Sequence, residues 1–431
     1  MPVSCFIVYF TAVLLATKIA IFLNLPYYIS KRLKANGNSF SATVNKIALA
    51  SITIGLAIML ISVMILGGFT STIENKIFSF AGHFQVVKFT LNNSLEESPF
   101  ISENDFFTHP ENYPFVSHIQ EFGHKASLLK SDQEIAGVLL KGVGPSFDSA
   151  TFMPNIAEGG FIHFPDSGYS REVIVSKNMA RLMRIKLHDN VLLNFMDFST
   201  TPPSLRTRRL QVVGLYDTGL EDFDERIVIG DIDLIRRLNN WEPNLVGGYE
   251  VFLKDYGEVD YAERWLYDNL DFDLYAQKVS NKYAQFFDWM RLIAKNEVIF
   301  LVIITFVACF NMASVLLIMI MERTQMIGML KALGAGSKLV RQVFVYRGMR
   351  LIAKGMLLGN ILGLGLAFIQ DKFKVIPLNP QNYYMEYVPI QWDWMWVIVL
   401  NILTFLIISA VLLLPTMIIS RISPIKAIRF D

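Results

Sequence analysis

The stretch closest to a reactive motif is Gly334-Ala335-Gly336-Ser337-Lys338, which has the glycines and the lysine of a phosphate-binding loop. Such a loop needs Gly directly before the Lys and Ser or Thr directly after it to hold magnesium, and Ser337 and Leu339 stand there instead. The six histidines (83, 109, 118, 124, 163 and 188) are scattered without metal-ligand spacing. His118 and His124 share a helix face only if a helix runs unbroken across Gly123. No Gly-x-Ser-x-Gly elbow occurs, and Glu221-Asp222 with Asp224-Glu225 read as a solvated turn. Cys5 and Cys309 both lie in apolar runs, where neither metal ligation nor a disulfide is expected. These residues point to no catalytic site, cofactor or metal of the chain's own.

A different chemistry is concentrated at 322–354. Seven basic residues (Arg323, Lys331, Lys338, Arg341, Arg347, Arg350, Lys354) stand there against one acid, Glu322. Long apolar runs flank the segment on both sides. Lys and Arg beside membrane spans are retained in the cytoplasm, so this short basic connection is expected there. Met326, Ile327, Met329, Leu330 and Leu333 recur at helical spacing, Gly334 stands where a helix would stop, and Ser337 where the next would be capped. The segment predicts a short helix whose apolar face needs a partner.

The elements that would position this helix are membrane spans. The chain of 431 residues is 53% hydrophobic and 18% charged, too apolar for an ordinary soluble enzyme. The apolar weight lies in a few runs, each near the 20 or so residues that cross a bilayer. The expected order is an apolar extension at 1–22, a cytoplasmic amphipathic segment at 23–46, and a first span at 47–69. An external α+β domain with stalk helices follows at 70–297, then a second span at 298–321. The basic segment occupies 322–346, a third span 347–370, a short external loop with an aromatic belt 371–393, a fourth span 394–420, and a basic tail 421–431. The run 1–22 is a poor signal peptide; a mis-assigned start near Leu23 is the favoured expectation, and an extra span with its N-terminus outside is the alternative. Gly355, Gly359 and Gly363 suit tight helix crossing, and Asn311 is expected to bond a neighbouring helix rather than a substrate. A net charge of +1 gives no sign of nucleic acid as a partner.

Within the external insert, strands are expected at His83–Phe89, Glu134–Val143, Glu172–Ser176, Asn190–Phe195, Arg209–Tyr216, Glu225–Ile229 and Tyr249–Lys254. Helices are expected at Asn178–Ile185, Asp231–Asn239 and Val259–Asn269. The first strand and the segments after residue 130 would form one subdomain, the remainder a second.

The run Glu322-Arg323-Thr324, then Ile327-Gly328, then Leu330-Lys331-Ala332-Leu333-Gly334-Ala335 resembles the coupling motif of the FtsX/MacB-type permeases of ABC transporters. Met326 stands where that family commonly has an acid. Ile135–Val143, Glu172–Ala180 and Leu210–Gly219 resemble pieces of the family's external domain, and Ser423-Pro424 with Ala427-Ile428-Arg429 resembles its C-terminal signature. The resemblance is greatest to the lipoprotein-releasing permeases. It implies an integral α-helical membrane protein with four spans in a one-plus-three split around the external domain, in the bacterial inner membrane with that domain periplasmic. A cytoplasmic ATPase would bind ATP and magnesium and dock on Glu322, Arg323, Met326, Ile327, Gly328, Leu330, Lys331, Leu333 and Gly334. The other partners implied are a second permease copy or a homologue, a lipid-anchored protein as cargo, and a periplasmic chaperone. A permease-like regulator of a cell-wall hydrolase, an exporter of another amphiphile and a membrane-anchored enzyme are the alternatives. The first usually carries a much smaller external insert, and the last lacks a nucleophile or metal constellation.

Overall fold

Uncharged runs of this length satisfy their backbone polar groups in hydrocarbon by forming continuous helices, and the computed structural model has four of them. It describes residues 25–32, 40–90, 94–101, 104–131, 134–197, 204–379 and 383–421. The expectations for 1–22 and for the tail beyond Arg421 fall outside these residues. The principal helices are α1 (Leu25–Arg32), α2 (Phe40–Ala81), α3 (Lys177–Leu182), α4 (Ile232–Asn239), α5 (Val259–Asn269), α6 (Ala284–Glu322), α7 (Thr324–Ala332), α8 (Ser337–Phe373) and α9 (Trp394–Thr416). At 1.5 Å per residue, the 42 residues of α2 extend over roughly 60 Å, about twice the hydrocarbon thickness.

The chain divides into two compact units. The membrane unit comprises the described parts of Met1–Phe69, Leu292–Ile376 and Val388–Asp431. Its core joins Leu56 and Leu60 of α2, Met312 and Leu316 of α6, Phe344 and Ile352 of α8, and Ile408 and Leu412 of α9. Glycine lets α8 approach α2 closely. A Cβ on Gly359 would stand 2.9 Å from the Thr53 carbonyl oxygen, and one on Gly363 3.1 Å from Ala57 Cα. Gly355 faces Ile52, and its carbonyl accepts a hydrogen bond from Thr53 Oγ1 at 3.2 Å. Asn311 Nδ2 donates to Ser51 Oγ at 3.1 Å, and the Asn360 and Asn401 amides bond each other across α8 and α9.

The external unit comprises the described parts of Thr70–Arg291 and Pro377–Tyr387. Its strands are β1 (Phe84–Lys88), β2 (Val116–Lys130), β3 (Ile135–Val143), β4 (Ile156–Gly159), β5 (Glu172–Ser176), β6 (Asn190–Asp197), β7 (Ser204–Tyr216), β8 (Ile227–Asp231), β9 (Gly248–Leu253) and β10 (Leu274–Lys278). They form one sheet in the order β10-β1-β9-β2-β3-β8-β5-β7-β4. Strand β6 pairs with both β2 and β7, so β2-β3-β8-β5-β7-β6 closes into a ring. The ring encloses its own core of Leu129, Leu140, Val175, Leu193, Leu210 and Val228. A second core packs Phe84, Phe106, Phe115, Val251 and Leu266 beneath β1, β9 and the first half of β2.

One expectation is corrected. Strand β1 pairs with β9 and β10, so of the segments after residue 130 it joins only 248–278, in the second core, and not the strands of the ring. His118, Gly123 and His124 lie on the long strand β2, so no helix face joins the two histidines. Ile119 packs in the second core and Leu129 in the ring core, because β2 serves both in turn. The segment 371–393 is also divided, since Pro377–Tyr387 folds with the external unit.

Candidate functional site

Helix α6 ends at Glu322, and Arg323 leaves helical geometry before α7 begins. Thr324 Oγ1 donates to the Met321 carbonyl at 2.6 Å, which satisfies one of the orphan acceptors of the α6 terminus. Gly334, at φ +92°, stops α7, and its left-handed backbone lets Ala335 N–H reach back to the Leu330 carbonyl at 2.9 Å. Gly336, not Ser337, is the N-cap of α8; Ser337 is already its first helical residue, so the expected side-chain cap is absent there.

The inner face of α7 is fixed to the membrane unit. Ile327 is fully enclosed in the helix core, Gly328 is buried, and Met326 and Leu330 pack against the same core. Lys331 Nζ donates to the Ile419 carbonyl at 2.7 Å, tying α7 to the end of the last span. The outer face is bare. Met329 is 62% exposed and Leu333 81%, with Glu322, Ala332 and Gly334 also at the surface. Of the nine residues expected to meet a partner, Ile327, Gly328, Met326 and Leu330 therefore hold the helix in place, Arg323 and Lys331 are half-buried, and Glu322, Leu333 and Gly334 face outward. The expected set omitted Met329. Its signal was present in the spacing, because Met329 and Leu333 stand four apart and so share a face.

Helix α1 lies within the amphipathic segment expected at 23–46. Arg350 on α8 donates to Ser30 Oγ at 3.2 Å and lies over the Tyr27 ring at 5.3 Å, holding α1 against α8.

In the external unit the polar groups are engaged in structure. Glu250 is completely buried and accepts from Lys141 Nζ at 2.7 Å, Gln120 Nε2 at 2.8 Å and Gln85 Nε2 at 3.0 Å. Lys141 also donates to the Phe80 carbonyl at the end of α2. His124 Nδ1 bonds Glu97, and His118 Nε2 lies 2.7 Å from the Ser146 carbonyl. Burial lowers the pKa of His83 to about 4, leaving it neutral so that Nδ1 can accept from Leu253 N–H. Among the described residues no three His, Cys, Asp or Glu side chains are grouped to hold a metal.

Four long apolar helices, split one-plus-three around an α+β domain, with a short surface helix between the second and third spans, define the class: a membrane subunit of the permease type. The sequence comparisons name the family. Residues 47–260 match the MacB-like periplasmic core domain, and residues 298–424 match the FtsX-like permease C-terminal model. The chain belongs to the FtsX/MacB-type permeases of ABC transporters. A lipoprotein-releasing system transmembrane protein LolE of Haemophilus influenzae is 22% identical over 388 residues, 86% of this chain and 91% of the relative. The corresponding LolC of Neisseria meningitidis is 21% identical over 407 residues, 91% of this chain and 96% of the relative.

Proposed function

We propose that the chain is the membrane subunit of a lipoprotein-releasing ABC transporter, set in the bacterial inner membrane with its large domain in the periplasm. A separate cytoplasmic ATPase holds ATP and magnesium and docks on the outer face of α7. Two permease chains, identical or homologous, act together, because four spans cannot enclose a cavity alone. The cargo is a lipid-anchored protein lifted from the outer leaflet and passed to a periplasmic chaperone. The chain itself contributes no catalytic group.

The observation that carries this reading is the two-sided character of α7. Bare Met329 and Leu333 project from a helix that Ile327 and Lys331 lock to the spans. Exposed apolar side chains on a rigid element, set among basic residues, fit a protein contact. Such a contact passes force into α6 and α8, which flank α7 in the chain.

The test is Met329→Asp with Leu333→Asp in the purified complex. Stimulation of the partner ATPase should fall roughly tenfold, the loss expected when apolar anchors leave an interface. Thermal unfolding should stay close to wild type, since neither residue supports the core. Undiminished stimulation refutes the docking surface. Leu330→Asp and Gly328→Trp are less informative, because both strike the buried face and would disturb the spans themselves.

A further inference from the structure

The short segment Pro377–Tyr387 lies between α8 and α9, two membrane helices, yet its described residues belong to the external unit. Its attachment centres on one side chain. Lys76, on the extension of α2 within that unit, donates from Nζ to the Tyr384 carbonyl at 2.7 Å and to the Thr218 carbonyl at 2.6 Å. Thr218 lies in the loop after β7, so one ammonium bridges the short segment and the β7 loop. Asp217, Asp224 and Glu386 supply the surrounding negative charge.

Both carbonyl-bearing segments are shaped for this contact. Tyr384 is held at φ 61°, a left-handed conformation unfavourable for a bulky side chain. Such conformations persist where surrounding contacts over-determine them. Here the Tyr384 ring meets Phe286 and Trp289 edge-on, with centroids 5.7 and 6.0 Å away, while its carbonyl meets Lys76. Gly219, at φ +71°, lies opposite, and a Cβ there would stand 3.1 Å from the Tyr384 oxygen. A side chain at 219 would crowd the carbonyl that Lys76 needs.

We infer that Lys76 is a positioning residue for coupling: it clamps the loop between the last two spans to the external domain. The inference rests on the transport reading above. Helix α8 follows α7 directly in sequence, so displacement of α7 is delivered through α8 to this loop. The clamp at the outer end of α2 then passes it to the β7 loop, a route that enters the external unit through this loop and not through α6.

The experiment uses the full complex in lipid vesicles and hydrogen exchange of two segments, Pro377–Tyr387 and Thr218–Asp224, with and without ATP. In wild type both segments should change protection with nucleotide. Lys76→Met should raise exchange of the short segment roughly tenfold in the resting state and abolish the nucleotide response at Thr218–Asp224, with ATP hydrolysis continuing. Lys76→Arg, which can still donate to both carbonyls, should restore both. Gly219→Val should reproduce the methionine variant from the other side of the contact. A methionine variant that keeps the wild-type nucleotide response overturns the clamp, as does failure of arginine to rescue. Release of lipid-anchored protein is measured in parallel. A wild-type complex that shows the nucleotide response but releases no cargo removes the transport reading while supporting the clamp.

Discussion

Glu250 in the external unit is completely enclosed and accepts three hydrogen bonds, one from a buried ammonium, whereas Asn311 in the membrane unit makes its link to α2 through a single bond to Ser51. The contrast extends to the surroundings. The external unit ties β1, β2, β3, β9 and the end of α2 together through the Lys141–Glu250 centre, with the rings of Phe80, Phe122 and Phe147 about Lys141. The membrane unit relies on close backbone approach, with Gly355, Gly359 and Gly363 of α8 set against Ile52, Thr53 and Ala57 of α2. Long apolar stretches of α6, including Val302, Phe306 and Phe310, remain exposed for lipid or a second chain. A domain surrounded by water can exploit burial to fix one arrangement. Helices surrounded by lipid gain nothing from burial between themselves, so shape and small residues decide their packing.

Glu250→Gln tests the external half of this comparison and should have the largest effect. The amide keeps the shape but leaves the Lys141 ammonium buried without its counter-charge. Breaking a buried pair from one side costs about 3–5 kcal/mol, and denaturant unfolding of the purified protein should register a loss of that size. The double change Lys141→Met with Glu250→Leu should cost less, because no lone charge remains. If Glu250→Gln is neutral, the centre does not hold the strands together.

The next effect depends on pH. Asp224 is buried and accepts from Thr218 Oγ1 at 2.7 Å, Gly219 N–H at 2.8 Å and Thr218 N–H at 3.2 Å. Burial outweighs these bonds and raises its pKa from 3.8 to about 6. Between those values the folded chain holds a proton that the unfolded chain has released, so stability falls as pH rises from about 4 to about 6. A shift of roughly two units corresponds to about 3 kcal/mol across the window. His83, with its depressed pKa, acts in the opposite sense over a similar range. The informative quantity is therefore the difference between wild type and Asp224→Asn. The variant should gain on wild type by about 3 kcal/mol between pH 4 and pH 7; a difference independent of pH contradicts the burial argument.

The spans, the glycine ridge and the surface helix were readable in the sequence because each is a local pattern: an apolar run, a spacing of four, a basic flank. The α+β character of the insert was readable from its alternating runs. What escaped is non-local. Strand β2 shifts its buried positions as it passes from one core to the other, so no single periodicity marks it. The closed ring depends on β6 meeting β2, a pairing between residues more than sixty apart in the chain. At α7 the apolar spacing was legible in the sequence, but the division of those residues between two faces was not. Which residues face the spans and which face outward is set by α8, α9 and Ile419, and no window of nine residues contains them. Lys76 likewise gives no signal alone, since its two acceptors are backbone carbonyls at Thr218 and Tyr384.

The smallest effect tests the membrane half. If the glycine ridge and apolar contacts govern helix approach, the Asn311–Ser51 hydrogen bond should contribute little. Side-chain hydrogen bonds in membranes average about 0.6 kcal/mol, because the separated helices find other polar partners. A double-mutant cycle with Asn311→Leu and Ser51→Ala, read by unfolding in mixed micelles, should give a coupling energy near that value. Elsewhere along the same two helices Gly55 of α2 faces Ile304 of α6, an approach that neither substitution touches. A coupling above about 2 kcal/mol would exceed the range known for such bonds. It would mean that α2 and α6 are held by polar chemistry after all, and that the two units differ in the number of their polar links and not in the kind of force that holds them.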